Sequence, residues 1–230
     1  MPLNPPYQLQ PLSEDDIDAY MVCASSAFLD DPLRKATFPP HLVDPADPGE
    51  EQRFRETRMR KRLAEQSGGR AFKIEDPARP GVIAACSSWI APQKPGPDGA
   101  GDAAEKRVGR DVAVDRPKCA NPVVWDEQVR LLNLSKENIF GKSTDFWYLA
   151  GLATHPDYQG NGLGAALVRW GLEQAEKDGL PVYLEATPAG APLYKRLGFE
   201  VVEEHDLSRF ITDGTEYKVL SMLKRPGGKA

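Results

Sequence analysis

The residues most able to do chemistry lie together in the second half of the chain. Phe146-Trp-Tyr-Leu-Ala-Gly-Leu-Ala-Thr154 runs into His155-Pro-Asp-Tyr-Gln-Gly-Asn-Gly-Leu-Gly164 and then into Ala165 to Lys177. The pattern predicts a buried strand, a glycine-rich turn and a helix. Such a turn gathers several backbone N–H groups and a helix N-terminus in one place. That is an anion site, suited to the phosphates of a nucleotide-like cofactor. Gly160, Gly162 and Gly164 can take backbone angles that other residues resist, and they let a ligand approach the chain closely.

Three cofactor classes use a loop of this kind. A phosphate-binding NTPase loop ends in Gly-Lys-Ser/Thr, whereas here the glycines run into Leu163 and Ala165 with no Lys, which argues against ATP or GTP chemistry. A dinucleotide fingerprint, G-x-G-x-x-A, is formally met by Gly160, Gly162 and Ala165, with Glu185 at a suitable distance to hold a ribose. Its first Gly should follow the strand at once, yet Pro156, Asp157, Tyr158 and Gln159 intervene. Only 45 residues follow Glu185, too few for the further βα units of a doubly wound sheet. The third class binds acyl-coenzyme A. Gln159-x-x-Gly162-x-Gly164 resembles the acetyl-coenzyme A loop of the GNAT superfamily of N-acetyltransferases, Gln/Arg-x-x-Gly-x-Gly/Ala. Downstream, Ala191-Pro-Leu-Tyr-Lys-Arg-Leu-Gly-Phe199 is similar to the family's segment ending Leu-Tyr-x-x-x-Gly-Phe. The two motifs stand in the family's order, separated by a helix and a strand. The resemblance runs from about Asp145 to Glu204 and is absent from roughly Ala91 to Ser143.

The resemblance implies an α/β (α+β) single domain with the acyl-CoA N-acyltransferase fold. Its sheet would be mixed and mostly antiparallel, flanked by helices and split in a V near the cofactor. It implies acetyl-CoA as donor, a small-molecule or peptide amine as acceptor, direct attack in a ternary complex, and no metal. Backbone groups of Leu152, Ala153 and Thr154 would meet the pantetheine arm. Gln159, Gly160, Asn161, Gly162, Leu163, Gly164 and Ala165 would hold the pyrophosphate. The family often carries Asn seven residues before its tyrosine. Here that position is Thr187, whose hydroxyl either keeps the cofactor contact or loses it.

Acyl transfer from a thioester to an amine needs few special parts. An alkyl amine with a pKa near 10.4 is neutral in roughly one molecule in a few thousand at pH 7, so a base or a desolvating site must help remove a proton. The oxyanion needs a donor, and the leaving thiolate benefits from a proton. Tyr194 falls where many family members carry the tyrosine that protonates the thiolate; as packing it would be a core aromatic on a short helix. Glu185, near the end of a strand, is either a base or an ion-paired acid on the sheet. His155 reads as a loop residue or a proton relay. Asp30 and Asp31 read as an exposed turn pair, or as attraction for a cationic acceptor.

These residues need a frame. Tyr7 to Leu12 predicts a first strand, with Ser13 and Asp16 resembling a capping box before a helix that carries Ile17, Tyr20, Met21 and Ala24. Asp30-Asp31-Pro32 should end that helix, and Pro39, Pro40, Pro45 and Pro48 mark a loop. Glu50 to Gln66 predicts a second helix; Ala71 to Glu75 and Gly81 to Trp89 predict two strands. Pro92 to Pro122 is rich in Pro, Gly, Ala and charge and reads as a flexible insertion. Trp125 to Phe140 is a candidate amphipathic helix. The family usually joins the flanking strands by a short hairpin, so the insertion is either a decorated surface or a contact with a partner or a second copy in a homodimer. After the glycine loop, Leu163, Ala166, Leu167 and Trp170 form a buried stripe ended by Gly179. Leu180 to Ala186, Phe199 to Glu203 and Tyr217 to Leu223 predict the remaining strands, before a polar tail over 225–230.

At 230 residues, 40% hydrophobic and 27% charged, the chain can bury one good core. No apolar run is long enough to span a bilayer, and the N-terminus lacks the regions of a signal peptide. A net charge of −5 argues against general nucleic-acid binding. Cys23, Cys86 and Cys119 are an odd set without metal spacing; the first two read as reduced core residues, which fits a cytoplasmic or nuclear compartment. Two other function classes stay open: a non-catalytic acyl-CoA-binding regulatory module, and a nicotinamide-dependent oxidoreductase.

Overall fold

A computed structural model describes residues 6–64, 69–92 and 116–227. Seven strands form one sheet in the order β1-β2-β3-β4-β5-β7-β6. These are β1 (Leu9–Pro11), β2 (Gly69–Glu75), β3 (Ile83–Ile90), β4 (Trp147–Thr154), β5 (Val182–Ala186), β6 (Glu200–Asp206) and β7 (Lys218–Lys224). Every neighbouring pair is antiparallel except β4 with β5. The mixed, mostly antiparallel sheet expected from the resemblance is therefore present.

The helices start where local chemistry says they should, with two exceptions. Helix α1 (Ile17–Ala27) follows a short turn in which the Ser13 N–H donates to Asp16 at 2.8 Å. Asp30-Asp31-Pro32 does not simply break the chain. Asp31 accepts from the Arg34 N–H at 2.8 Å and Pro32 sits in the first turn of a second short helix, α2 (Pro32–Thr37). Helix α3 spans Glu50–Ala64. Helix α4 (Pro122–Phe140) begins earlier than its apolar pattern suggests, because Asn121 accepts from the N–H groups of Val123 and Val124. The expected loop over 92–122 thus divides. Residues 93–115 lie outside the described residues, while Cys119 and Ala120 are buried and Glu50 accepts from the Lys118 N–H at 2.7 Å. Of the polar tail, residues 228–230 also lie outside; Arg225 meets Glu200, and the Gly227 N–H meets Glu176.

Helix α5 (Leu163–Asp178) covers one face of the sheet, over β3, β4 and β5. Trp89, Trp147, Leu149, Val168, Val182 and Leu184 form the core beneath it. On the other face α1 packs on β3 and β4, α3 packs on α1 and β2, and α4 lies across β5 and β7. The period-two alternation of β5 decides the site's chemistry. Val182, Leu184 and Ala186 join the α5 core, while Tyr183 and Glu185 point to the α4 side, where Phe140 and Lys136 meet them.

Candidate active site

Strand β4 pairs with β5 only through Trp147, Tyr148 and Leu149, opposite Val182, Tyr183 and Leu184. Beyond that point β4 stays bonded to β3, out to Thr154 opposite Ala85, with an irregularity at Ser88/Trp89. The edge of β4 carrying Leu152, Ala153 and Thr154 is left open toward β5. A cleft of about 770 Å³ threads this split, a size suited to a cofactor-like ligand (~300–1,000 Å³). Its walls bring together Leu152, Ala153, Thr154, Gln159, Gly160 and Gly162 through Ala165 with Glu185, Thr187 and Tyr194. Asn161 does not line it; its side chain donates to the Tyr158 carbonyl at 3.0 Å and braces the turn from within.

The glycines do specific work at two points. Gly160 and Gly162 have φ of 82° and 74°, left-handed angles that a side chain would strain. Gly162 is the residue before the first turn of α5. It leaves the N–H groups of Leu163, Gly164 and Ala165 at the mouth of the cleft, where a helix N-terminus has donors to give an anion. Gly164 serves close approach instead, since a Cβ there would lie 3.3 Å from Thr154 Oγ1 and 3.6 Å from Leu193 Cδ2. The cleft walls also include two cations, Arg169 of α5 and Arg196 of α6 (Ala191–Arg196). Sequence reasoning passed over both, although a charge next to the apolar stripe of α5 was the available signal.

The turn before α5 is pinned to the connection between β2 and β3. Tyr158 donates to Asp76 at 2.7 Å, and Arg79 pairs with Asp76 at 2.9 Å and with the Tyr158 hydroxyl. Those bonds from Arg79 and Tyr158 lower the Asp76 carboxyl to a pKa of about 2. His155, read as loop or relay, is part of the same brace, its Nδ1 accepting from the Asp157 N–H at 3.3 Å. The Gln159 side chain reaches back to the Thr154 carbonyl at 3.3 Å. The Thr187 hydroxyl accepts from the Gly190 N–H at 3.2 Å, so it caps the start of the α6 turn while lining the cleft.

Tyr194 lies on the cleft wall with its ring edge-on to Phe199 at 5.8 Å. Burial raises its pKa well above the usual tyrosine value. The hydroxyl therefore keeps its proton at neutral pH. Among the described residues that hydroxyl has no hydrogen-bond partner. Glu185 is held from two sides. Tyr148 donates to Oε2 at 2.7 Å, and Lys136 Nζ lies 3.2 Å from Oε1. The Lys136 and Glu185 side chains are only 5% and 9% exposed, and the ammonium also sits 4.2 Å above the Tyr148 ring. The ion-paired reading of Glu185 describes its geometry, and Glu185 also lines the cleft.

A second pocket of about 330 Å³ adjoins the first, sharing Phe28 and Thr187. Phe38, Trp125, Val129, Leu132 and Tyr217 give it aromatic and aliphatic walls. Its charges are matched: Arg34 and Arg55 share Glu51 at 3.0 and 2.9 Å, and Asp31 accepts from Tyr217 at 2.7 Å. Asp31 thus serves as a helix cap and a tyrosine partner, while Asp30 pairs with Lys35 in the open.

Residues 83–199 match the acetyltransferase (GNAT) family. A curated acetyltransferase of Stachybotrys chartarum is 31% identical over 130 residues, which is 54% of this chain and 51% of that one. The chain thus aligns with about half the length of that relative. Among solved structures, arylalkylamine N-acetyltransferase 2 of Aedes aegypti superposes with a TM-score of 0.64 at 16% identity, covering 96% of this chain and 99% of that one. The polyamine N-acetyltransferase of Drosophila melanogaster gives 0.61 at 14%, covering 95% and 99%. At such identities these two show the fold. With its split sheet and its glycine turn opening a helix, the chain belongs to the GNAT acetyltransferase family.

Proposed function

We propose that the protein moves the acetyl group of acetyl-CoA to a primary amine while both substrates are bound. The observation that carries this reading is the split between β4 and β5. It opens on one side at the free N–H groups of Leu163, Gly164 and Ala165, and on the other at Glu185 and Tyr194. When bound, acetyl-CoA supplies an activated thioester. The chain's own residues do the rest. The N-terminus of α5, with Arg169 and Arg196, holds the phosphates. The open edge of β4 orients the pantetheine arm. Glu185 takes a proton from the incoming amine, and Tyr194 gives one to the departing sulfur. Placing both substrates in one cleft supplies the remainder of the rate.

The acceptor's body rests in the adjoining pocket. Phe28, Phe38 and Trp125 suit an amine with an apolar or aromatic body. Asp31 is the one carboxylate among the described residues of that wall and is already bonded to Tyr217, which disfavours a polyamine.

Gly162→Asp tests the donor site. It adds a side chain at a φ of 74° and a negative charge where the phosphates belong. Calorimetry should show micromolar-range acetyl-CoA binding to the native protein and little to a folded Gly162→Asp variant. Equal affinity for both would remove the basis of this reading.

A further inference from the structure

The second pocket is walled in part by two guanidiniums that share one carboxylate. Arg34 of α2 and Arg55 of α3 both line it. Glu51 lies one helical turn before Arg55 and serves both. Its two oxygens are spent on Arg34, whose Nη2 donates to Oε1 and Oε2 at 3.0 Å. Arg55 is less well served. Its Nε lies 2.9 Å from Glu51 Oε1 but off the line of a hydrogen bond, and is otherwise buried without a partner among the described residues. Burial lowers the Arg55 pKa below the usual arginine value; Glu51 draws it up, and the neighbouring Arg34 charge pushes it down again. A guanidinium has about five N–H donors and a carboxylate about four acceptor sites, so two guanidiniums on one carboxylate leave this wall short of acceptors. The Trp125 indole N–H, on the same pocket, is also buried without a partner among the described residues. Buried donors are seldom left so.

Asp31 does not answer these donors. Its Oδ1 takes the Arg34 backbone N–H at 2.8 Å and its Oδ2 takes the Tyr217 hydroxyl at 2.7 Å. The rest of the pocket is largely aromatic and aliphatic. The Arg55 guanidinium lies over the Phe38 ring, 5.4 Å from its centre, and Phe38 meets Trp125 edge-on at 6.1 Å. At about 330 Å³ the pocket is at the small end of ligand sites (~300–1,000 Å³), with room for one ring and a short substituent. It joins the cleft at Phe28 and Thr187, and Glu185 lines that cleft.

We propose that the acceptor is an aromatic amine with a carboxylate at the end opposite its amino group, and that Arg55, with Arg34, selects it by binding that carboxylate. The assignment rests on the acetyl-transfer reading above and names the substrate class of the same site. With the amine beside Glu185, the ring passes Phe28 and Thr187 into the second pocket, and the carboxylate meets the guanidiniums. A carboxylate supplies acceptors in the planar geometry that a guanidinium fork matches. The same two cations repel a distal ammonium, and Asp31 has both oxygens taken, so a polyamine finds no partner there. An uncharged ring fills the pocket but leaves the shortage of acceptors as it was. Arg55 is a specificity residue in this arrangement. It acts on the binding of the acceptor and not on the bonds that change.

The test compares three amines of similar shape with acetyl-CoA and the full chain: para-(aminoethyl)benzoate, para-(aminoethyl)benzamide and phenethylamine. The native kcat/KM for the benzoate should exceed that for the other two by roughly ten- to a hundredfold, the worth of one hydrogen bond to a charged group. Arg55→Met should raise KM for the benzoate by a similar factor, with kcat little changed, and so bring the three amines together. Arg55→Lys keeps the charge without the fork and should recover part of the preference. Acetyl-CoA affinity should stay near native in both variants. A native protein that acetylates the benzamide or phenethylamine as well as the benzoate would overturn the carboxylate site without any variant, and leave acetyl transfer standing. An Arg55→Met protein that keeps the native preference would overturn it as well. A native protein that acetylates no primary amine would overturn the acetyl-transfer reading and the carboxylate site with it.

Discussion

Lys136→Met separates a structural ion pair from a solvent-facing acid. Lys136 Nζ and Glu185 Oε1 are 3.2 Å apart in a site where the two side chains are 5% and 9% exposed. At an effective dielectric constant of about 20 the attraction is about 5 kcal/mol, set against the cost of drying both ions. Removing one partner leaves the other charged and buried, which typically costs about 3–5 kcal/mol. Lys136→Met should therefore lower the melting temperature by roughly 10 °C, taking about 2–4 °C per kcal/mol for a chain of this size. Glu185→Leu should do similar harm. The double variant should recover most of the loss, because an apolar pair of like volume leaves no stranded charge. Urea melts of the four proteins give the coupling directly. Losses below about 1 kcal/mol in each single variant, simply additive in the double, would match an exposed pair and refute the buried arrangement.

Three further outcomes follow from the same geometry. Gly171→Ala places a Cβ 2.2 Å from Trp89 Cη2, so α5 or the buried indole must move; we expect a net loss of about 1–3 kcal/mol in chemical melts despite alanine's better helix propensity, and no loss would mean α5 sits further from β3. Tyr194→Phe should lower kcat by roughly ten- to a thousandfold with acetyl-CoA affinity unchanged, and a native kcat with chemistry rate-limiting would return Tyr194 to a packing role. Asp76, held at a pKa of about 2, contributes its bonds to Arg79 and Tyr158 fully above its usual value of about 4, and loses them as the pH falls through about 2. Hydrogen exchange in residues 155–162 should therefore quicken over that interval in the native protein but not in Asp76→Asn; parallel profiles would show that the brace does not hold the turn.

The glycine turn beside the cleft was legible because its signals are local. The angles at Gly160 and Gly162 and the start of a helix are written into a few consecutive residues. Local signals were also present where the reading fell short. Asn121-Pro122 and Asp31-Pro32 are both a capping side chain followed by proline, yet in proline-rich surroundings each looked like a break. What the sequence withheld were meetings between distant segments. Lys136 with Glu185, Asp76 with Tyr158, and Ser135 with Ser221 depend on strand order and on which face α4 covers. Glu185 itself could be placed on a strand, but whether it met solvent, substrate or a lysine was decided by where α4 docks on the sheet.

The most direct test of acetyl transfer is the initial rate of CoA thiol release by the purified full chain with acetyl-CoA, run with and without a panel of primary amines. The panel should hold an arylalkylamine, a polyamine and a peptide N-terminus, with mass spectrometry of the products. We expect release that depends on amine, an acetylated amine in equal amount, and the fastest turnover with the arylalkylamine. Acetyl-CoA binding without amine-dependent release on any member of the panel would contradict the catalytic reading and leave a regulatory module that binds the cofactor.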